Sequence, residues 1–159
     1  MAATIDYFRI KHRFDAVEGL AFADRCIVPL RRLMLWRALR QVRHLERDID
    51  QLEREMLAKP ADTEIDPEDK LTDDLLRMQR KTRRLLRLVA ELRERHPGPA
   101  AAGSAALLAE LDQKLRSAHE AIGRVRTIIL EHDADASGAG PEFDNVEDLI
   151  SYLRDRAAR

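Results

Sequence analysis

A chain of 159 residues, 36% of them charged and only 4% aromatic, with a net charge of −1, is long enough for one core but has little to fill a wide one. Its apolar content is mainly Leu, Ala, Ile and Val, the mix of elongated helical bundles, whose narrow seams take aliphatic side chains while charge solvates the other faces. A single cysteine, Cys26, excludes an intrachain disulfide and a thiolate zinc site, no apolar run is long enough to span a bilayer, and near-neutrality means that any polyanion binding must come from where the charges sit.

The opening stretch, MAATIDYFRIKHRF, scatters acids and bases without an uninterrupted apolar core, so a secretory signal is not expected and a soluble cytoplasmic protein is. Within residues 4–27, Tyr7, Ile10, Phe14, Val17 and Ala21 alternate spacings of three and four. With Thr4 in a capping position and Asp6 in the first turn, they predict an aromatic N-terminal helix weakened at Gly19. Phe8 and Phe22 add to its aromatic content in a chain otherwise poor in rings. Such a helix either packs on the bundle as a fourth member or offers Tyr7, Phe8, Phe14 and Phe22 as a partner-binding face.

Pro29 stands where a helix can open, and residues 29–58 carry a seam of Leu35, Ala38, Val42, Leu45, Ile49, Leu52 and Met56. The same frame runs back through Val28 and Asp24 to Ala21, so one long helix kinked at Pro29 is an alternative to two helices. Residues 59–65 form a connector. Asp66-Pro67-Glu68-Asp69 is a start signal, with a capping acid, proline in the first turn and carboxylates at the positive end of the helix dipole. The helix over 66–95 has Leu71, Leu75, Met78, Leu85, Val89 and Leu92 on its seam, Thr82 filling the one gap, and stops at His96-Pro97-Gly98-Pro99. Ser104 is placed to cap a third long helix over 104–132, with Leu108, Leu111, Leu115, Ala118, Ile122, Val125 and Ile129 on its seam. Matched lengths and short connections predict consecutive helices running antiparallel, up, down and up. Asp133 to Pro141 reads as linker, and residues 144–157 as a short helix opened by a capping box, with Val146, Leu149, Ile150 and Leu153 on one face.

That topology sorts charge into poles. Arg37 and Arg40, with Arg31, Arg32, Arg43 and Arg47, fall beside the end of the next helix, which holds Arg77, Arg80, Lys81, Arg83, Arg84 and Arg87. The acids of 48–55 and 62–74 gather at the opposite end. A basic pole can steer nucleic acid, an anionic surface or an acidic protein, and it can equally be a solvated helix face.

Two stretches resemble known chemistry. DADASGAGPEFD puts Asp133, Asp135 and Ser137 at the first, third and fifth positions of a twelve-residue loop and Gly138 at the sixth, which resembles the first half of an EF-hand calcium loop. The second half departs from it, with Gly140, Pro141 and Asp144 where a pairing apolar residue, a water-bridged ligand and a bidentate Glu would stand. SAHEAIGRV, with Gly123 one turn after His119, resembles histidine-phosphotransfer domains, but Ile122 occupies the place of the lysine that would steady a phosphoryl group. His12, His44, His96 and His132 are isolated, and neither a Gly-rich phosphate loop nor a Cys-His pair is present. The expectation is therefore a single all-α domain: an elongated, coiled-coil-like antiparallel three-helix bundle with an added N-terminal helix and a short C-terminal one. No enzyme, metal or cofactor is expected. The expected function is protein binding, as an adaptor, chaperone-like or scaffold module and in one version a homodimer; the alternative is a polyanion binder, nucleic acid above all, using the Arg-rich pole.

Overall fold

The apolar repeat decides which side of each helix leaves water. In a computed structural model, which describes residues 2–60, 63–66, 68–96, 102–137 and 146–157, five α-helices make up most of the chain. They are α1 (Ala2–Glu18), α2 (Val28–Leu57), α3 (Lys70–Arg95), α4 (Ala102–Ser137) and α5 (Val146–Ala157), with a 3-10 segment, Gly19–Arg25, between α1 and α2. The described residues hold no strand, and no described helix is long and apolar enough to cross a membrane.

The three long seams close on one another as their period requires. In α2 the series from Leu35 to Met56 is buried, in α4 the series from Leu108 to Ile129, and in α3 Leu75, Met78, Thr82, Leu85, Val89 and Leu92. Thr82 fits an apolar seam because its hydroxyl donates to the Met78 carbonyl one turn back, at 2.8 Å. Cross-links between side chains give the helix directions. Lys114 and Ser117 both reach Glu46, at 2.7 and 2.9 Å, and Arg124 reaches Glu53 at 2.8 Å, so α2 and α4 advance in parallel. Between them in sequence, α3 runs the other way: its start lies by Asp133 near the end of α4, and its last residue, Arg95, lies by Asp24 near the start of α2.

At the other end of the chain, α1 doubles back along α2, where the Arg13 guanidinium donates to Asp48 at 2.5 Å and to Gln41 at 3.3 Å. One long helix kinked at Pro29 is thereby ruled out: Ile27 is extended, with ψ of 154°, and Pro29 sits in the first turn of a separate α2. The N-terminal helix also ends earlier than residue 27. Beyond Glu18 the backbone tightens to three residues per turn, so the buried positions follow as Val17, Leu20 and Ala23, while Ala21 of the four-three series is exposed. Both α1 and α4 pack on α2 and on α3, so this half of the bundle is four-cornered, with α1 across the core from α4.

The start of α3 moves for a reason of hydrogen bonding, and both ends of α4 move as well. The start signal at Asp66 works through a detour: Asp69 adopts a left-handed φ of 53°, α3 begins at Lys70, and the Asp66 carboxylate accepts the Thr72 N–H at 2.7 Å. Ser104 does not cap α4, because the helix already covers it and its side chain is buried. At its far end α4 continues past His132 to Ser137.

The N-terminal segment is therefore part of the core. Replacing Phe14, only 1% exposed, by alanine should lower the unfolding free energy by about 3–5 kcal/mol in a urea titration, the cost of a large buried cavity. An unchanged midpoint would mean that this ring faces water.

Candidate docking faces

At its start α2 is apolar on the wrong side. None of residues 28–34 is buried, and Leu35 is the first that is. The inward position belongs to Arg31, whose guanidinium donates to the Ala23, Cys26 and Asp24 carbonyls at 3.0, 2.9 and 3.4 Å and so ties the 3-10 segment to the helix. Opposite the Leu35, Ala38 and Val42 seam, at 100° per residue, lie Leu30, Leu33 and Trp36, each 45–50% exposed. Ile27 and Phe22, shortly before α2 in the chain, have still larger exposed fractions. The same line continues into Arg37 and Arg40, and the Arg40 guanidinium stacks over the Trp36 ring, 5.9 Å from its centroid. Contiguous exposed apolar groups of this size are uncommon on a surface with no partner to meet.

A second outward face lies on α5, and a buried charge produces it. Arg126 of α4 is 1% exposed; its guanidinium donates to Gln79 Oε1 at 2.9 Å and forms an ion pair with the buried Asp148 of α5. Burial pushes the Arg126 pKa down to about 10, yet it remains charged at neutral pH. Gly123 makes room for this arrangement, since a Cβ there would stand 3.1 Å from Gln79 Nε2. With Asp148 turned inward and Glu147 bonded to Arg83 at 3.2 Å, the polar side of α5 meets the bundle. Its stripe of Val146, Leu149, Ile150 and Leu153 points away, 39–69% exposed.

The residues expected to form functional sites are dispersed. Of the aromatic N-terminal set, Phe14 is core, which removes it from any docking face; Phe22 is exposed on the 3-10 segment; the side chains of Tyr7 and Phe8 lie outside the described residues. The basic pole acquires acids that the long helices alone do not supply. Lys81 bonds Asp15 and Glu18 of α1 and Arg83 bonds Glu147 of α5, while Arg77 pairs with Asp74 of its own helix. Asp24 takes both His96 and Arg95 at 2.7 Å, and the hydrogen bond with His96, then that from Arg95, hold its pKa below the ordinary 3.8. Arg80, Arg84 and Arg87 face no carboxylate within ion-pair distance among the described residues.

The first half of the calcium-loop candidate is helical, which a calcium loop cannot be: Asp133, Asp135 and Ser137 belong to α4. The Asp133 carboxylate instead accepts the N–H groups of Ile65, at 2.5 Å, and Asp66, holding the connector into α3. Gly138 to Asp144 lie outside the described residues, and among those described no three potential ligands cluster. His119 is half-buried and lines a cavity of about 200 Å³ with Gln79, Gly123, Ser151 and Arg154. Burial, and then the charge of Arg83, lower its pKa below 6.5, so it is neutral at pH 7. Gly123, which in the sequence resembles clearance beside a phosphoryl-accepting imidazole, here clears the Gln79 amide.

Sequence reasoning missed Arg126, Gln79 and Asp148. The one signal for them is an arginine inside RVRTII, where every neighbour but Arg124 and Thr127 is apolar. No protein-family model, no curated protein and no solved structure matches the chain.

Asp148→Asn, which leaves Arg126 buried and unpaired, should destabilise the fold by about 3–5 kcal/mol in urea unfolding, and Arg126→Met with Asp148→Leu should recover most of that loss. For His119 the unfolded chain binds its proton at higher pH than the folded chain does. Its contribution is thus intact above pH 6.5 and erodes as pH falls through that value. His119→Gln should flatten the decline in thermal midpoint between about pH 7 and 5; an unaltered pH profile would show that the imidazole is freely solvated.

Proposed function

We propose that the chain is a non-enzymatic protein-binding module, an adaptor or scaffold bundle, and that its docking face is the outer line of α2. One observation carries this reading: Leu30, Leu33 and Trp36 repeat at helical spacing on the side of α2 that the bundle does not use. Large apolar groups held in line on a rigid helix favour capture of another helix, because ordering them has already been done by folding. A cytoplasmic setting accords with one unpaired cysteine, Cys26.

A second reading rests on Arg80, Arg84 and Arg87, arginines of α3 that face no carboxylate within ion-pair distance among the described residues. It makes the chain a weak polyanion binder whose affinity for nucleic acid falls steeply as salt rises. The acids that α1 and α5 bring to Lys81 and Arg83 weigh against it.

The chain has one tryptophan, so Trp36 emission reports on the face itself. Proteins captured by the wild-type chain should shift that emission to the blue, and Leu30→Asp with Leu33→Asp, at exposed positions, should weaken their binding at least tenfold while leaving the thermal midpoint unchanged. Equal capture by the double variant would overturn the reading. Salt-sensitive DNA binding abolished by Arg80→Ser, Arg84→Ser and Arg87→Ser together would favour the second.

A further inference from the structure

We propose that the partner of the α2 face is an amphipathic helix with carboxylates in its N-terminal half and an apolar stripe after them, lying antiparallel to α2. The inference rests on the docking reading above and gives it a ligand chemistry.

Charge supplies the argument. Between Asp24 and Glu46 the chain has no acid and six arginines, Arg25, Arg31, Arg32, Arg37, Arg40 and Arg43. Two of them are committed within the molecule, Arg31 to the 3-10 carbonyls and Arg43 to Glu110, while Arg25 precedes α2 and the Arg32 guanidinium lies against Gly103 of α4. Arg37 and Arg40 remain, and both follow the apolar residues along the exposed line. The line is thus ordered, with Leu30, Leu33 and Trp36 first and cations after them, over about 15 Å or three helical turns. A complementary helix needs an apolar stripe against the first part and carboxylates against the second. Run antiparallel, its carboxylates fall in its own first turns, where its dipole also favours them, so one arrangement satisfies both electrostatic demands.

Other occupants fit less well. A second copy pairing through the same face supplies no acid to meet Arg37 and Arg40. A bilayer surface would have to take the Arg40 guanidinium down beside the Trp36 indole, over which it is stacked, whereas a helix can set a carboxylate at that spot.

The test uses the whole chain and two synthetic helical peptides about 18 residues long, enough for a marginal helix to form on binding. One has Asp and Glu in its first half and Leu at helical spacing in its second; the other has Lys in place of every acid. The acidic peptide should shift Trp36 emission to the blue and bind at least tenfold more tightly than the basic one, with affinity falling as salt rises. Arg37→Glu with Arg40→Glu, at exposed positions, should reverse that preference. Equal binding of both peptides, or a preference unaltered by charge reversal, would overturn the proposal. So would a blue shift produced by phosphatidylserine vesicles and not by the acidic peptide, or burial of Trp36 in a sedimenting dimer. If the acidic peptide fails while a captured protein still shifts Trp36, this inference falls and the docking face stands. If Leu30→Asp with Leu33→Asp leaves capture intact, the docking face itself falls.

Discussion

The Arg126 guanidinium, out of water between α3 and α4, must be met by hydrogen-bond acceptors before its surroundings can settle, because an unpaired buried cation costs more than any nearby apolar contact returns. Gln79 and Asp148 meet that demand, and to do so Asp148 brings the polar side of α5 against the bundle. Four large apolar residues of α5 then have nowhere to go but outward. The same logic operates at the start of α2. There Arg31 takes the inward place because three backbone carbonyls at the end of the 3-10 segment need donors, and the leucines beside it are left in water. In both places an arginine that turns in determines which hydrophobic groups stay out, and so where the molecule has unsatisfied surface.

Electrostatics across the rest of the bundle follows the order of the elements. Consecutive helices of alternating direction collect arginines toward one end, but the fold brings α1 and the 3-10 segment to the same end with Asp15, Glu18 and Asp24. These pairs are exposed, so each contributes little to stability. Their effect is to break a large basic surface into a smaller one on α3 and a separate basic line on α2. The second continues a line of exposed apolar residues on its own helix, which is why the two are assigned different partners.

The ends of the helices illustrate how one residue can be drawn into work its motif does not describe. Asp133 looks like the first ligand of a cation loop, yet it sits on a helix and accepts backbone donors from the connector before α3, groups that would otherwise lack partners. Asp66 looks like a simple N-cap, and it does receive a helix N–H, but from Thr72 and across a left-handed turn at Asp69. In each case the carboxylate goes where unpaired backbone N–H groups are.

Periodicity alone determined the three long helices, their seams and their alternating directions, since a 3.6-residue repeat of leucines has one way to leave water and short connections allow neighbours one orientation. It also marked Ile10, Phe14 and Val17 as a face, though not whether that face meets the core or a partner. The fate of Phe14, the outward turn of α5 and the exposed line on α2 were decided by tertiary structure. Each depends on a contact that the apolar repeat does not encode: the corner between α2 and α3 that α1 fills, the buried Arg126, and the carbonyls held by Arg31. An apolar stripe reads the same in a sequence whether it faces in or out, because spacing specifies a side of a helix and only packing specifies what lies against it.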